Sequence, residues 1–341
     1  MEEVQNEFSL VGIEDKSASE NIVKPALSTW QSVWRRLRKN KLAVVSLIFL
    51  VLVMLYALIS VPVVSQNSAN DFNTNAGSKY KNLPPKSGLP IPGWDGKTTT
   101  PGSVDAMDVY EKNGVDQNYL LGTDNLGRSV AKRVTVGLRI SLFIAIVATA
   151  IDLLIGVSYG LVSGWLGGWV DTTMQRVIEV ISAIPNLVVV TLLAMLFGSS
   201  IWSIILAIAL TSWTGMARQV RNLTLTYKER DFVLAAKTLG ESGPMIALKH
   251  LVPNMSGTII VQIMMTIPAA IMFEAVLSAI NLGVKAPTAS LGTLITDGQN
   301  MLQYYPYQIL IPSIVLVLVS LAFILLGDGL RDAFDPKMAD E

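Results

Sequence analysis

Apolar residues along this chain fall into six long blocks separated by polar stretches, without the strict alternation of a half-buried sheet. The blocks run from Leu42 to about Val64, Arg139 to Gly164, Val177 to Phe197, Ile201 to about Met216, Met255 to about Ile280 and Ile309 to about Leu326. The hydrocarbon core of a bilayer, ~30 Å thick, takes ~20 helical residues to cross. The pattern therefore predicts an all-α integral membrane protein with six transmembrane helices. It divides the chain into a cytoplasmic N-terminal tail (1–41), a first transmembrane helix (42–65), an extracytoplasmic insertion (66–119) and a five-helix core (120–337). Pro185 interrupts the third block. Gly156, Gly160 and Gly164 recur every four residues in the second, making a ridge of small residues for close helix packing.

Charge orients these blocks. Arg35, Arg36, Arg38, Lys39 and Lys41 precede the first block with no acid among them, which holds that end in the cytoplasm. Residues 214–253 carry six basic residues against three acids, again a cytoplasmic signature. Six crossings then put both termini inside the cell. Residues 66–119 are rich in Pro, Asn, Gly, Ser and Thr, and read as a loop or small irregular subdomain outside the membrane. Lys132, Arg133 and Arg139 fall on that outer side, where they are expected at the headgroups of a short interfacial helix capped by Asp124. Val130, Val134 and Leu138 of that helix are expected to face lipid.

Composition excludes more than it assigns. With 51% hydrophobic residues, no cysteine, one histidine and a formal net charge of zero, the chain offers no disulfide, thiolate catalysis or His-rich metal site. Its charge gives no reason to expect nucleic acid. Gly96-Lys97-Thr98 has the ending of a phosphate-binding loop, but Ile91 stands where the first glycine is needed. The chain has no ATPase motif of its own.

Between the fourth and fifth blocks lies a polar, helix-prone stretch, Arg230 to Asn254, broken once by the Gly240–Pro244 run. The expected product is a helix–turn–helix hairpin within residues 228–254, with Gly240 supplying the turn. Within the blocks, Asp152 and Glu274 are ionisable near mid-bilayer. A charge there costs at least ~2.5–3.5 kcal/mol, so both should face protein or water. Pro268 cannot donate to the carbonyl of Met264, which predicts a kink. These three are the candidates for lining a path, although hydrogen-bonded carboxylates at helix contacts and a tolerated membrane proline are the plainer alternatives.

Several segments together resemble one family. Ala235, Ala236, Gly240, Pro253 and Asn254 match the EAA loop of ABC importer permeases, with Leu234 standing where that loop usually has Glu. Gly122, Thr123, Asp124, Gly127 and Arg128 resemble the extracytoplasmic LGTDxxGRD signature of peptide-type permeases, with Ser129 in place of its last Asp. Phe273–Gly292 and Gly327–Pro336 resemble two further signatures of the same proteins. The chain is thus similar to the C-component permease of oligopeptide or dipeptide ABC importers. That resemblance implies the type I importer permease fold, half of a translocation path, and ATPase coupling through Leu234, Ala235, Ala236, Lys237, Gly240, Glu241 and Pro253. It implies four kinds of partner: a second homologous permease, two ATP-binding subunits, an extracytoplasmic peptide-binding lipoprotein and the lipid membrane. ATP and magnesium would be used by the ATPase subunits, with no cofactor in this chain. Nickel or another small solute is the alternative cargo within this class. A channel or secondary transporter acting alone is the alternative class, but it calls for repeated halves, and no internal repeat is visible.

Overall fold

The computed structural model describes residues 29–71, 78–88, 91–98 and 107–335. Residues 1–28 of the tail read over 1–41 lie outside these residues, as do Pro90 and Pro101 of the insertion and Pro336 of the C-terminal signature. Helix α1 (Thr29–Leu37) leads into α2 (Lys41–Val63), whose first turn is capped by the Asn40 side chain accepting from Ala43 N at 3.1 Å. A short α3 (Gln66–Asn70) and a two-stranded antiparallel ribbon follow, β1 (Lys97–Thr98) against β2 (Met107–Asp108), with Lys97 opposite Asp108. Helix α4 (Val109–Asn113) completes a small ordered module around buried Leu83, Tyr110 and Val115. The Tyr110 hydroxyl donates to Pro84 O at 2.7 Å. The insertion is therefore more regular than its composition predicts.

Next come α5 (Val130–Leu166), α6 (Gly168–Ala183), α7 (Asn186–Phe197) and α8 (Ile201–Tyr227). Then follow α9 (Asp231–Thr238), α10 (Gly243–Ile246), a π-helical turn (Ala247–Leu251), α11 (Val252–Ala279), α12 (Leu291–Gln299) and α13 (Tyr307–Phe334). Among the described residues, five helices are long and apolar enough to cross a membrane, and α6 with α7, bent by 76°, have the length and composition for a sixth if the pair counts as one span. The bend falls at Ile184-Pro185. Proline lacks the N–H that would continue the ladder and disfavours helix in the residue before it.

The glycine ridge sets the packing of α5 on α8. A Cβ at Gly156 would lie 2.6 Å from the Met216 side chain, one at Gly160 2.4 Å from the Ala217 carbonyl, and one at Gly164 2.7 Å from Thr224 Cβ. Each four-residue step along α5 meets a four-residue step along α8, so the two helices run parallel. The chain must therefore return across the membrane between them, and the bent α6–α7 pair is that return. At the end of the bundle where α11 begins, Phe334 lies against Gly257, Trp30 packs edge-on against Phe334 at 5.7 Å, and Arg36 donates to Asp335 O at 2.9 Å. Both described ends of the chain thus lie on one side of the bundle.

Three expectations are corrected. No separate interfacial helix starts at Asn125. The Asp124 carboxylate instead accepts from the backbone of Leu126 and Arg128 in a tight turn, both at 2.9 Å, and α5 begins at Val130 and runs unbroken for 37 residues. Val130, Val134 and Leu138 do not face lipid; they are buried, because α5 sits between α2, α8, α11 and α12 at the centre of the main core. The hairpin's second arm, expected as a short helical piece from Met245 to Leu251 leading to Pro253, is not a separate piece. It continues through the π turn into α11, and the Val252 N–H bonds to Ala247 O five residues back. A wider π turn beside a proline absorbs the missing donor without ending the helix.

Candidate functional site

The hairpin is built by an unusually complete helix stop. After α9, the Gly240 N–H bonds to Lys237 O at 3.0 Å and the Glu241 N–H to Ala236 O at 3.1 Å. This is a Schellman stop with Gly240 at the left-handed position, φ +82°. A Cβ there would meet nothing within 4 Å, so the demand for glycine is a backbone one. The second arm folds back and is clasped by Glu241, which takes Lys249 at 3.0 Å and His250 at 2.7 Å. Those two bonds, Lys249 first, hold the Glu241 carboxyl below its ordinary value. His250 is thereby a partner of Glu241.

The two alanines of the motif separate. Ala236 is buried with Val233, Ile246, Ala247, Leu251 and Met255 in a satellite core beneath the hairpin. Ala235 is exposed. So are Leu234, Lys237 and Gly240, together with Phe232, Met245 and Leu248. Leu239, at the tip, is 84% exposed. Exposed leucines on the long spans are explained by lipid. Those of the hairpin are not, because they lie among Lys228, Arg230, Lys237 and Lys249, beyond the ends of α8 and α11. Pro253 is exposed at the start of α11 and takes no part in this patch.

The path candidates sit apart from the hairpin and from one another. Asp152 lies in α5, 2% exposed, and among the described residues its Oδ1 has no hydrogen-bond partner; Oγ1 of Thr149, one turn away, has none there either. Glu274 in α11 is fully enclosed and accepts from Ser290 at 2.7 Å, Ser278 at 2.9 Å and Ser141 at 3.1 Å. It thereby fastens α5, α11 and the start of α12 to one another. Pro268 is buried within an unbroken α11. Glu179 is exposed and pairs with Arg176 at 2.6 Å.

The family model described as "Binding-protein-dependent transport system inner membrane component" matches residues 156–340, hairpin included. A second, "N-terminal TM domain of oligopeptide transport permease C", matches residues 28–85. The chain belongs to this family of transport-system membrane components. Among its relatives, the dipeptide transport system permease protein DppC of Lactococcus lactis subsp. cremoris is 57% identical over 343 residues, covering 100% of both chains. The oligopeptide transport system permease protein OppC of Bacillus subtilis is 38% identical over 320 residues, covering 94% of this chain and 93% of that one. A partial structural likeness, at TM-score 0.49 and 16% identity, is to an inward-facing form of the MetNI methionine ABC transporter, covering 58% of this chain and 94% of that one.

The Gly122–Arg128 signature forms a knot of hydrogen bonds and ion pairs. Gly122 has φ +74°, and a Cβ there would come within 2.5 Å of Leu83 O and 2.8 Å of the Tyr307 ring. The Thr123 hydroxyl donates to Tyr80 O at 2.6 Å and accepts from Leu83 N at 2.8 Å. Thr123 O accepts from Tyr307 and Gln308 of α13. Gly127, φ +83°, packs on Tyr80. Asp124 takes Arg128 at 2.7 Å and Arg133 at 3.0 Å, and Arg133 also reaches Asp297 of α12 at 3.2 Å. The expectation that Arg133 points to headgroups is thus overturned: it is 3% exposed and held by two carboxylates. Arg139 is also diverted, donating to Val64 O at the end of α2. Sequence spacing pairs Asp124 with Arg128 at i,i+4, but nothing local announces Asp297, 164 residues from Arg133. Ser141 and Ser290, the partners of Glu274, were equally silent.

Proposed function

We propose that this permease forms half of the translocation path of an ATP-driven importer of dipeptides or oligopeptides, and that its hairpin docks on an ATPase subunit. The hairpin side of the bundle is then the cytoplasmic one. Both described ends of the chain lie on that side with Arg35, Arg36 and Arg38, in keeping with the distribution of basic charge. The observation that carries the reading is the apolar patch of Phe232, Leu234, Leu239, Met245 and Leu248, exposed outside the membrane on a rigidly capped hairpin. Fully burying one leucine is worth about 1.5–3 kcal/mol, so such a patch calls for a protein partner.

Peptide cargo is supported by the names of full-length relatives at 57% and 38% identity. The assembly follows from the same reading: a second homologous permease, two ATP-binding subunits that use ATP and magnesium, and a peptide-binding lipoprotein outside. Asp152, with its unpartnered oxygen, is the path residue of choice. Glu274 instead acts as a joint, its carboxyl accepting from three serine hydroxyls. Ala236 and Gly240 shape the hairpin, whereas Leu234 and Ala235 face the ATPase.

The reading is tested in proteoliposomes holding the complete complex, with labelled dipeptide supplied on its binding protein. Uptake that requires ATP supports it. Peptide uptake without ATP, or ATP-driven uptake of nickel but no peptide, would contradict it.

A further inference from the structure

The hairpin is continuous in chain with α8 and α11, but it meets α5 only through packing, by Leu161 in the satellite core and by Trp165 in the last turn of α5. The Lys237 ammonium of α9 stands 5.2 Å over the Trp165 ring. From the other arm, Gly243 closes on the same ring: a Cβ there would lie 2.7 Å from Trp165 Nε1 and 3.2 Å from two ring carbons. The ring also packs against the satellite core that holds Val233 and Ala236 of α9. One residue earlier, Gly164 O accepts from Lys228 Nζ at 3.1 Å. Trp165 is therefore gripped from both arms of the hairpin.

What lies behind the ring is stiff. Gly156, Gly160 and Gly164 seat α5 on α8 with almost no slack. Asp171 at the start of α6 receives a two-pronged Arg221 from α8 and the Ser163 hydroxyl from α5. A displacement of the hairpin that reaches Trp165 thus moves α5, and with it α8 and the foot of α6, as one body. Interlocked helices and bidentate pairs resist shear between them.

Resting on the function proposed above, we infer that Trp165 is a positioning residue of the coupling step, passing motion of the ATPase-docked hairpin to α5. Lys237 then acts from the exposed side of the hairpin by holding the ring in place. The contact is a cation on an aromatic face, so a flat ring is required at 165 and a cation at 237; bulk alone does not serve.

The test uses the complete complex in proteoliposomes and reads the ratio of ATPase rate with peptide-loaded binding protein to the rate without it. Trp165→Phe is expected to keep the wild-type ratio. Trp165→Leu and Lys237→Met are each expected to lower it roughly two- to fivefold, the size of a half-exposed cation–π contact. Combining the two should lower it no further, because both remove one contact. A wild-type ratio in Trp165→Leu, or additive losses in the double variant, would overturn the inference. Should Trp165→Leu fail to assemble, Lys237→Met on an exposed residue decides alone: an unchanged ratio overturns it. A wild-type complex showing no stimulation would instead count against the proposed function.

Discussion

The outer and inner ends of this permease solve opposite problems. At the outer end, Asp124, Arg128 and Arg133 are buried charges whose ion-pair partners, one another and Asp297, all come from this chain. At the inner end, the hairpin exposes Phe232, Leu239 and Leu248 and buries only its underside. Buried charge is tolerable only when paired, and exposed apolar surface beyond the membrane persists only when something covers it. The outer knot is finished by its own sequence; on the proposed function, the inner hairpin is finished by another protein. A signature motif can thus mark a scaffold at one end of a molecule and a docking surface at the other.

Substitutions should separate the two. Asp124→Ala leaves two buried guanidiniums short of a carboxylate and is expected to cost about 3–5 kcal/mol, read as a large fall in the unfolding midpoint of the purified complex. Gly160→Leu drives a side chain into the Ala217 carbonyl and should cost about 1–3 kcal/mol or more by the same measurement, with α5 and α8 forced apart. Leu239→Ser should change stability by less than about 0.5 kcal/mol, since the side chain touches little. Yet it should weaken retention of the ATPase subunit by about tenfold or more, the value of one buried leucine. If Leu239→Ser lowered stability as Asp124→Ala does, the contrast between the two ends would fail.

The smallest effect concerns pH. Glu241 titrates below its ordinary 4.5 because Lys249 and His250 bond its charged form. A carboxyl depressed by folding adds stability above its unfolded value, and that stability is lost as pH falls through the lower folded value. Protection of the hairpin amides, measured relative to their intrinsic exchange rate, should therefore fall as pH drops below about 4.5, and Glu241→Gln should remove that acid step.

Legibility in the sequence followed the range of the interactions. Six apolar blocks, the Gly240 turn, the Pro185 interruption and the glycine ridge are written in residues close together in the chain, and each appears in the structure. The burial of Arg133 was misread because its second carboxylate, Asp297, arrives from α12, and basic residues near a membrane end ordinarily seek headgroups. Val130 and Val134 were assigned to lipid for a related reason: an apolar face does not say whether hydrocarbon or protein will meet it. The split between Ala235 and Ala236 was invisible until the packing of α9 on the Leu251–Met255 turn was known. Small residues side by side on a helix cannot share a face.

The claim on which the rest depends is that the hairpin tip meets the ATPase inside the cell. The chain contains no cysteine, so a thiol placed by Leu239→Cys is unique within it. Coexpressed with its partners, this variant should form a short-span cross-link to an ATPase subunit, while Leu120→Cys on the outer side forms none. Labelling of Leu239→Cys by a membrane-impermeant thiol reagent added to intact cells, with no ATPase cross-link, would contradict the account.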